Sequence, residues 1–186
     1  MALSVKEKVY NALDIANFLI YLMSDSCDDL SNMKLNKILY YAQGHFLQNY
    51  NRPLFSDTIE AWQHGPVVKA VYAKYKDYKD KPISEYDISK IDAIDNSVKS
   101  FLLDIARKYG RYTAYTLRNM THRPKSPWAQ VDEGEEITLK SISDYFEKYE
   151  DRILPLEINY SEEDFVGHRD SDGILVLPED WHDAAV

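Results

Sequence analysis

Histidine, cysteine and carboxylate side chains are the groups in this chain that could carry metal or nucleophilic chemistry. The five histidines are widely spaced, at His45, His64, His122, His168 and His182. A zinc site needs about four converging ligands, and the sequence has neither an HExxH pair nor a second cysteine. Cys27 stands among Asp25, Asp28 and Asp29, and nearby negative charge opposes formation of a nucleophilic thiolate. We therefore expect no metal ligands and no cofactor.

Motifs that cradle phosphate or activate a serine are also missing. The sequence contains no GxSxG, GxxxxGK[ST] or GxGxxG. One catalytic alternative stays open, because Glu60, His64 and His122 would form an acid–base set if the fold brought them together. The sequence otherwise nominates no catalytic residue, so we expect a protein that is not an enzyme.

Three clusters combine aromatic rings with adaptable polar groups, a mixture typical of protein–protein contact surfaces. Each cluster also admits a simpler interpretation, because aromatic rings dominate protein cores as well as interfaces. We predict partner-binding roles for Tyr40, Tyr41 and Gln43 in the first cluster, Trp62, His64, Gly65 and Pro66 in the second, and Thr121, His122 and Trp128 in the third. Among these, the predicted anchors are Tyr41, Trp62, His64 and His122.

Helices are expected to position these clusters, since apolar residues recur at three- and four-residue spacing through most of the chain. The spacing predicts a buried helix over 12–23 and an amphipathic helix over 33–50. Lys34, Lys37 and Gln43 fall off the apolar stripe of the second helix. Residues 54–62 are compatible with a short strand or an ordered loop.

Proline and capping residues predict the remaining elements. Pro66 after Gly65 predicts a helix start, because proline suits the first helical position. A long helix follows from about 91 to 108, and Thr113 and Thr138 are suitable N-caps for two more helices. The segments at 153–159 and 173–178 look extended. The predicted fold is mainly α, a compact bundle of about six helices with short extended segments, including a C-terminal extended tail.

Charge divides the chain into two parts. The 186 residues carry a formal charge of −9. Residues 151–186 hold 10 acidic residues and 2 arginines, a balance of −8, which leaves −1 for residues 1–150. We therefore predict a helical domain over 1–150 and an acidic C-terminal extension over 151–186. No nucleic-acid partner is expected, since such partners select a net basic surface.

The N-terminal residues and the cysteine content predict the compartment. No signal peptide is evident, and the longest apolar run, 18–23, is far too short to span a membrane. A lone cysteine cannot form an internal disulfide, which fits a reducing compartment. The sequence thus predicts a cytoplasmic protein without a membrane partner, and it leaves the oligomeric state open.

The same clusters carry a resemblance to a known family. KLNKILYYAQGHFL at 34–47 and PLFSDTIEAWQHGPVVKAVY at 53–72 are followed by YGRYTAYTLRNMTHRPKSPWAQ at 109–130 and ITLKSISDYF at 137–146. Over about residues 12–149 the chain resembles the Panacea antitoxin domain family, which includes SocA-type antitoxins and phage-associated proteins. The resemblance implies a mostly helical fold and supplies no catalytic residue.

The resemblance implies an antitoxin that neutralises a cognate toxin, and we expect this to occur by direct protein–protein binding. SocA-type members imply an alternative, a proteolytic adaptor that delivers the toxin to a bacterial protease. Small apolar residues at the chain end, 183–186, would loosely suit an unfoldase. Another role as a phage or prophage interaction protein also stays open. The acidic extension is either a solubilising tail or a contact for a basic toxin surface.

Overall fold

The computed structural model describes residues 8–24 and 30–153, together with the backbone of 168–169 and 175–176. Six α-helices occur within these residues: α1 (Ala12–Met23), α2 (Asn32–Tyr50), α3 (Lys69–Tyr75), α4 (Asn96–Tyr109), α5 (Ala114–Thr121) and α6 (Leu139–Tyr149). Three 3-10 turns add to them, at Lys76–Tyr78, Ile88–Ala93 and Pro127–Gln130. The predicted mainly α fold with about six helices is confirmed. Cys27 lies outside the described residues.

Helix α2 lies at the centre of the helical part. It packs against α1, α4, α5 and α6, and nearly every residue from Asn32 to Gln48 is buried. The predicted single apolar stripe is therefore wrong. Lys34, Lys37 and Gln43, expected off that stripe, are all buried, because neighbouring elements cover α2 on several sides.

Short polar side chains begin the helices. Ser31 Oγ accepts a hydrogen bond from the Lys34 N–H at the start of α2. At the start of α5, Thr113 Oγ1 accepts a hydrogen bond from the Thr116 N–H at 3.1 Å. At the start of α6, Thr138 Oγ1 accepts one from the Ser141 N–H at 3.2 Å. Each cap satisfies a backbone donor that the helix itself cannot pair. Both predicted threonine caps are confirmed.

Residues around Gly65 form a β-hairpin. Strand β1 (Ile59–Trp62) pairs antiparallel with β2 (Gly65–Val68) through a turn at Gln63 and His64. The predicted helix start at Pro66 is wrong, since α3 begins only at Lys69. Gly65 enters β2 with φ +99°, a conformation that glycine adopts without the steric cost of a side chain.

Pro66 fits within β2 because of its register. It lies opposite Ala61, whose N–H donates to the Glu135 carbonyl at 2.9 Å and whose carbonyl accepts the Gly134 N–H. Both backbone groups of Ala61 thus point away from Pro66. The hairpin therefore loses no hydrogen bond between β1 and β2 because of the missing proline N–H. The prediction of a helix start used only the preference of proline for the first helical position, and this strand position suits proline as well.

The chain divides into two compact units, Met1–Pro155 and Leu156–Val186. In the second unit, β3 (His168–Arg169) pairs antiparallel with β4 (Leu175–Val176), which falls within the predicted extended segment at 173–178. The extended segment predicted at 153–159 lies outside the described residues except for Ile153. The division into domains 1–150 and 151–186 stays a prediction.

Candidate partner-binding site

The polar side chains of α2 hold neighbouring segments in place. Gln43 is fully buried and closes the loop after α2 with three hydrogen bonds. Its Nε2 donates to the Phe55 carbonyl at 3.0 Å, and its Oε1 accepts the N–H groups of Leu54 and Phe55. Gln43 therefore has no surface to present to a partner in this conformation. We call such a side chain a bracket, meaning a buried polar side chain of α2 that holds a neighbouring segment by hydrogen bonds.

Tyr40 and Tyr41 are also interior, each about 2% exposed. Tyr41 stacks on Tyr109 with ring centroids 4.2 Å apart, and Tyr40 meets Phe146 edge to face. Burial raises the pKa of both α2 tyrosines well above the usual range. The first predicted cluster therefore lies in the core, and its partner-binding role stays a prediction without an exposed ring to support it.

A buried histidine extends this aromatic layer. His45 Nε2 lies 2.6 Å from the Tyr109 hydroxyl, and Nδ1 lies 3.1 Å from Gln48 Oε1. Burial, reinforced by the Lys108 charge, lowers the pKa of His45 to about 3, although the Gln48 contact opposes that shift. His45 is therefore neutral at physiological pH and acts as a hydrogen-bonding core residue.

Two other polar residues of α2 attach the hairpin. Asn36 Oδ1 accepts the Val68 N–H at 2.9 Å, and Lys37 Nζ donates to the Pro66 carbonyl at 2.9 Å. These bonds satisfy backbone groups on β2 that would otherwise be buried without partners. Burial, together with the nearby Arg118 charge, lowers the pKa of Lys37 to about 7.

Close packing joins the second and third predicted clusters at Gly65. A Cβ atom placed on Gly65 would lie 2.6 Å from Thr121 Oγ1 and 2.8 Å from Lys37 Cε. Glycine at this position thus lets β2 approach α2 and the end of α5 together. Gly65, Pro66 and Thr121 are all buried, so their roles in the structure are positional.

The hairpin turn is held by the segment that follows α5. Trp128 Nε1 donates to the Trp62 carbonyl at 2.8 Å, and the ring centroids of Trp128 and His122 lie 3.6 Å apart. His122 Nε2 lies 3.3 Å from the Gln63 carbonyl, while Nδ1 lies 2.7 Å from the Arg118 carbonyl. Both ring nitrogens thus contact backbone oxygens, and the two predicted clusters form one assembly.

This assembly is partly exposed and bordered by two depressions of about 400 and 360 Å³. Trp62, Gln63 and Glu133 line both of them. The Trp62 ring meets Tyr72 edge to face at 4.7 Å, and its Nε1 donates to Glu60 Oε2. These contacts fix an aromatic surface in place, which we call the hairpin surface and define by Trp62, Gln63, His64, Tyr72, His122, Trp128 and Glu133.

The structure brings together seven of the ten predicted residues and separates the other three. Trp62, His64, Gly65, Pro66, Thr121, His122 and Trp128 lie at or beneath the hairpin surface, whereas Tyr40, Tyr41 and Gln43 lie in the core. Within residues 8–24 and 30–153, no group of three or more metal-ligating side chains occurs. No helix in the described part of the chain could cross a membrane.

Asn36 and Lys37 hold the hairpin, a role that the sequence did not predict for either, although Lys37 belongs to the first aromatic–polar cluster. Apolar spacing marks them as positions beside a stripe, yet both are buried and bind β2. A usable signal was present, because these two polar residues stand between Leu35 and an uninterrupted apolar run at 38–42. A buried polar residue implies a backbone partner.

Comparisons with known proteins agree with the resemblance. The family described as "Antitoxin SocA-like, Panacea domain" matches residues 35–129, half of the chain. One similar protein is "Antitoxin SocA" of Caulobacter vibrioides (strain NA1000 / CB15N), 28% identical over 134 residues, which cover 67% of this chain and 71% of that protein. No solved structure matches the chain significantly.

The matched region contains all of the hairpin surface except Glu133, together with Asn36, Lys37 and Gln43 of α2. It runs from Leu35 in the first turn of α2, through β1, β2, α3, α4 and α5, to the turn that carries Trp128. The match supports an antitoxin role, which in general implies a toxin as partner. The chain belongs to the SocA-like antitoxin family that carries the Panacea domain.

Proposed function

We propose that this protein neutralises a cognate toxin by direct contact through the hairpin surface. The observation that supports this proposal is the fixed aromatic assembly at the turn, where Trp62, Trp128 and His122 are partly exposed and mutually held. Tryptophan is strongly enriched among residues that dominate binding energy. Rings that are already ordered lose little further side-chain entropy on binding.

The hairpin surface would supply the central anchor of a larger interface. A stable complex buries about 1,600 Å² in total, and a few central anchors supply most of its energy. Trp62 is the best central candidate because it lines both depressions. His64 and Gln63 are exposed at the turn beside it, where they can hydrogen bond to a partner.

Co-expression with the neighbouring gene tests the proposal. The neighbouring product alone is expected to arrest growth, and this protein is expected to restore growth and to co-purify with it. Trp62→Ala is expected to weaken binding by at least about tenfold, since loss of a central anchor costs roughly 2 kcal/mol or more. Tyr149→Ala is the control, because this exposed α6 tyrosine lies outside both depressions.

Two results would refute direct neutralisation. A neighbour that is not toxic, or a toxic neighbour that this protein does not counteract, removes the functional proposal. Equal affinity for Trp62→Ala and the parent protein removes the hairpin surface from the interface. Unchanged helical circular dichroism in both variants is the check that each still folds.

The adaptor alternative predicts a different quantity, the lifetime of the toxin. An adaptor shortens toxin half-life in cells and is not consumed, whereas a direct inhibitor leaves the half-life unchanged or longer. A pulse-chase measurement in protease-deficient and parent cells separates the two. The C-terminal residues 183–186, on which the adaptor prediction drew, lie outside the described residues.

We further propose the cytoplasm as the compartment and a non-catalytic mode of action. The lone cysteine and the absence of a phosphate or nucleophile motif support these proposals from the sequence. Glu60 and His122 belong to the alternative acid–base set, but both have structural contacts. Glu60 accepts a hydrogen bond from Trp62, and the ring nitrogens of His122 contact backbone carbonyls. Equal rescue of growth by Glu60→Gln and the parent protein would support the non-catalytic mode, and loss of rescue with unchanged toxin binding would oppose it.

A further inference from the structure

The larger depression beside the hairpin turn is a pocket with basic and aromatic walls. It lies between the first turns of α2, the hairpin and the end of α3, and has a volume of about 400 Å³. Trp62, Tyr72 and Val67 supply rings and an aliphatic side chain to its lining. This volume lies in the range that accommodates one small ligand or a large side chain.

Positive charge predominates among the ionisable groups of this pocket. Lys37, Lys76 and Lys79 line it, against a single carboxylate from Glu133. The Arg118 guanidinium of α5 adds a further positive field at Lys37. His64, from the hairpin turn, also lines the pocket. The balance favours an anionic group as the occupant.

Lys37 has spare hydrogen-bonding capacity at this place. Its side chain is about 1% exposed, and within the described residues its amine makes one hydrogen bond, to the Pro66 carbonyl. A protonated lysine amine has three donors. A carboxylate entering the pocket would find unused donors and would compensate a charge that burial disfavours.

We propose that this pocket receives an acidic side chain of the toxin partner, with its carboxylate among the three lysines and an adjoining apolar group against Trp62 and Tyr72. This inference rests on the proposed direct binding and specifies its chemistry. The partner segment is therefore expected to place an Asp or Glu next to an aromatic or aliphatic residue. Charge complementarity and the paired aromatic walls select this kind of peptide.

Peptide probes test the pocket without the toxin. The acidic probe is acetyl-Gly-Phe-Asp-Glu-Phe-Gly-amide, and the neutral control replaces its two acidic residues with Asn and Gln. We expect the full-length chain to bind the acidic peptide at least about tenfold more tightly, because charge-assisted hydrogen bonds are lost in the control. Isothermal titration calorimetry measures both, and 4-phenylbutyrate in a third titration distinguishes a free small acid from a peptide.

Two variants locate the binding. Lys37→Met and the double variant Lys76→Gln with Lys79→Gln are each expected to reduce affinity for the acidic peptide at least about tenfold. The exposed Lys81→Gln is the matched control, since Lys81 does not line the pocket. The double variant keeps the experiment decisive if Lys37→Met does not fold, because its side chains lie outside the core.

Proton uptake by Lys37 on peptide binding distinguishes binding in the pocket from electrostatic attraction to exposed lysines. Because the pKa of Lys37 is lowered to about 7, its amine is mostly neutral at pH 8 in the free protein. An adjacent carboxylate favours the protonated form, so binding at pH 8 is expected to take up close to one proton. Calorimetry in two buffers of different ionisation enthalpy measures this uptake, which Lys37→Met is expected to abolish.

The outcomes separate this inference from the proposed function. Equal binding of the acidic and neutral peptides, or acidic binding that survives in the double variant, overturns the pocket assignment while growth rescue can remain intact. Tight binding of 4-phenylbutyrate with no peptide binding also overturns it, in favour of a free small acid. Failure of the parent protein to counteract the neighbouring toxin refutes the proposed function whatever the peptides do.

Discussion

Lys37→Met tests whether a buried amine controls the pH dependence of folding. In the folded chain its Nζ donates to the Pro66 carbonyl, and burial, with the Arg118 charge, lowers its pKa to about 7 from the ordinary 10.5. Between these two values the unfolded chain binds a proton that the folded chain releases. The contribution of Lys37 to the free energy of unfolding therefore rises with pH over this window and is lowest below about pH 7.

The magnitude follows from the two pKa values. The gap between 10.5 and about 7 corresponds to roughly 5 kcal/mol over the full window. Between pH 7 and pH 9, the folded protein changes from about half protonated to neutral at Lys37, while the unfolded chain stays mostly protonated. The contribution of Lys37 to the free energy of unfolding should rise by about 2 kcal/mol across that interval.

Urea denaturation at pH 7 and pH 9 measures this contribution as a difference between the parent chain and Lys37→Met. The variant also leaves the Pro66 carbonyl without its donor, which costs about 1–3 kcal/mol at either pH. That cost cancels when the two pH values are compared, as do the titrations of other groups. Lys81→Met, at an exposed position, controls for the loss of one lysine.

Parallel pH profiles for the parent chain and Lys37→Met would refute this reasoning. They would mean that the folded and unfolded chains bind the same number of protons at Lys37 between pH 7 and 9. A profile in which the parent chain gains about 2 kcal/mol more than the variant would confirm both the burial of the amine and the sign of its effect.

Three further predictions concern buried residues that hold the fold, of which Gly65 also positions the hairpin. Gly65→Ala is expected to lower the free energy of unfolding by roughly 2–4 kcal/mol in urea, since it combines a strained φ with close contacts. Gly134→Ala, also at positive φ but with nothing within 4 Å, should cost only about 1–2 kcal/mol, and equal losses would contradict the packing argument. Gln43→Leu removes three buried hydrogen bonds and should lower Tm, with a loss of about 3 kcal/mol; an unchanged Tm would show that the 54–55 loop does not need this bracket. His45, with its pKa lowered to about 3, should destabilise the fold as pH falls from 6.5, by about 2 kcal/mol between pH 7.5 and 5, and an NMR titration showing a midpoint near 6.5 in the folded protein would contradict this.

Helix positions could be predicted from the sequence where apolar spacing and caps agree. The helix over 12–23 was predicted at the bounds that α1 adopts, and α2 begins one residue earlier than predicted. Thr113 and Thr138 marked the starts of α5 and α6 correctly, because a cap depends on local backbone groups alone. Local rules therefore placed most of the helical elements.

The hairpin could not be placed by the same rules. Pro66 suits both the first turn of a helix and a strand position whose partner points elsewhere. The choice depends on Ala61 bonding to residues 134 and 135, about seventy residues later in the chain. The spacing of nearby residues carries no information about that contact. The sequence therefore predicted a helix start at Pro66, where the structure has a strand.

The roles of the α2 side chains depend on the same long-range contacts. Aromatic and polar residues at 40, 41 and 43 have the composition of a contact surface, yet α6, α4 and the loop after α2 cover them. Composition alone does not distinguish a core aromatic from an interface aromatic, because both bury large rings and satisfy polar groups. The Trp62 and Trp128 pair was predicted as part of a contact surface and is partly exposed, but its role in toxin binding stays a prediction.

The buried polar residues of α2 hold the fold, whereas exposed residues that line the pocket can be substituted at little cost in stability. Each buried bracket, such as Gln43 or Asn36, costs about 1–3 kcal/mol when lost, out of a total stability of roughly 5–15 kcal/mol. Exposed substitutions away from such contacts usually change stability by no more than about 0.5 kcal/mol. Lys76, Lys79 and Glu133 are in the second group, although they line the pocket beside Trp62. Under the proposed toxin contact, their charges could be exchanged to match a different toxin segment while Asn36 and Lys37 keep the hairpin in place. The proposed contact therefore assigns partner specificity to the rim of the pocket, and it leaves the hairpin and α2 as a platform that does not itself need to change.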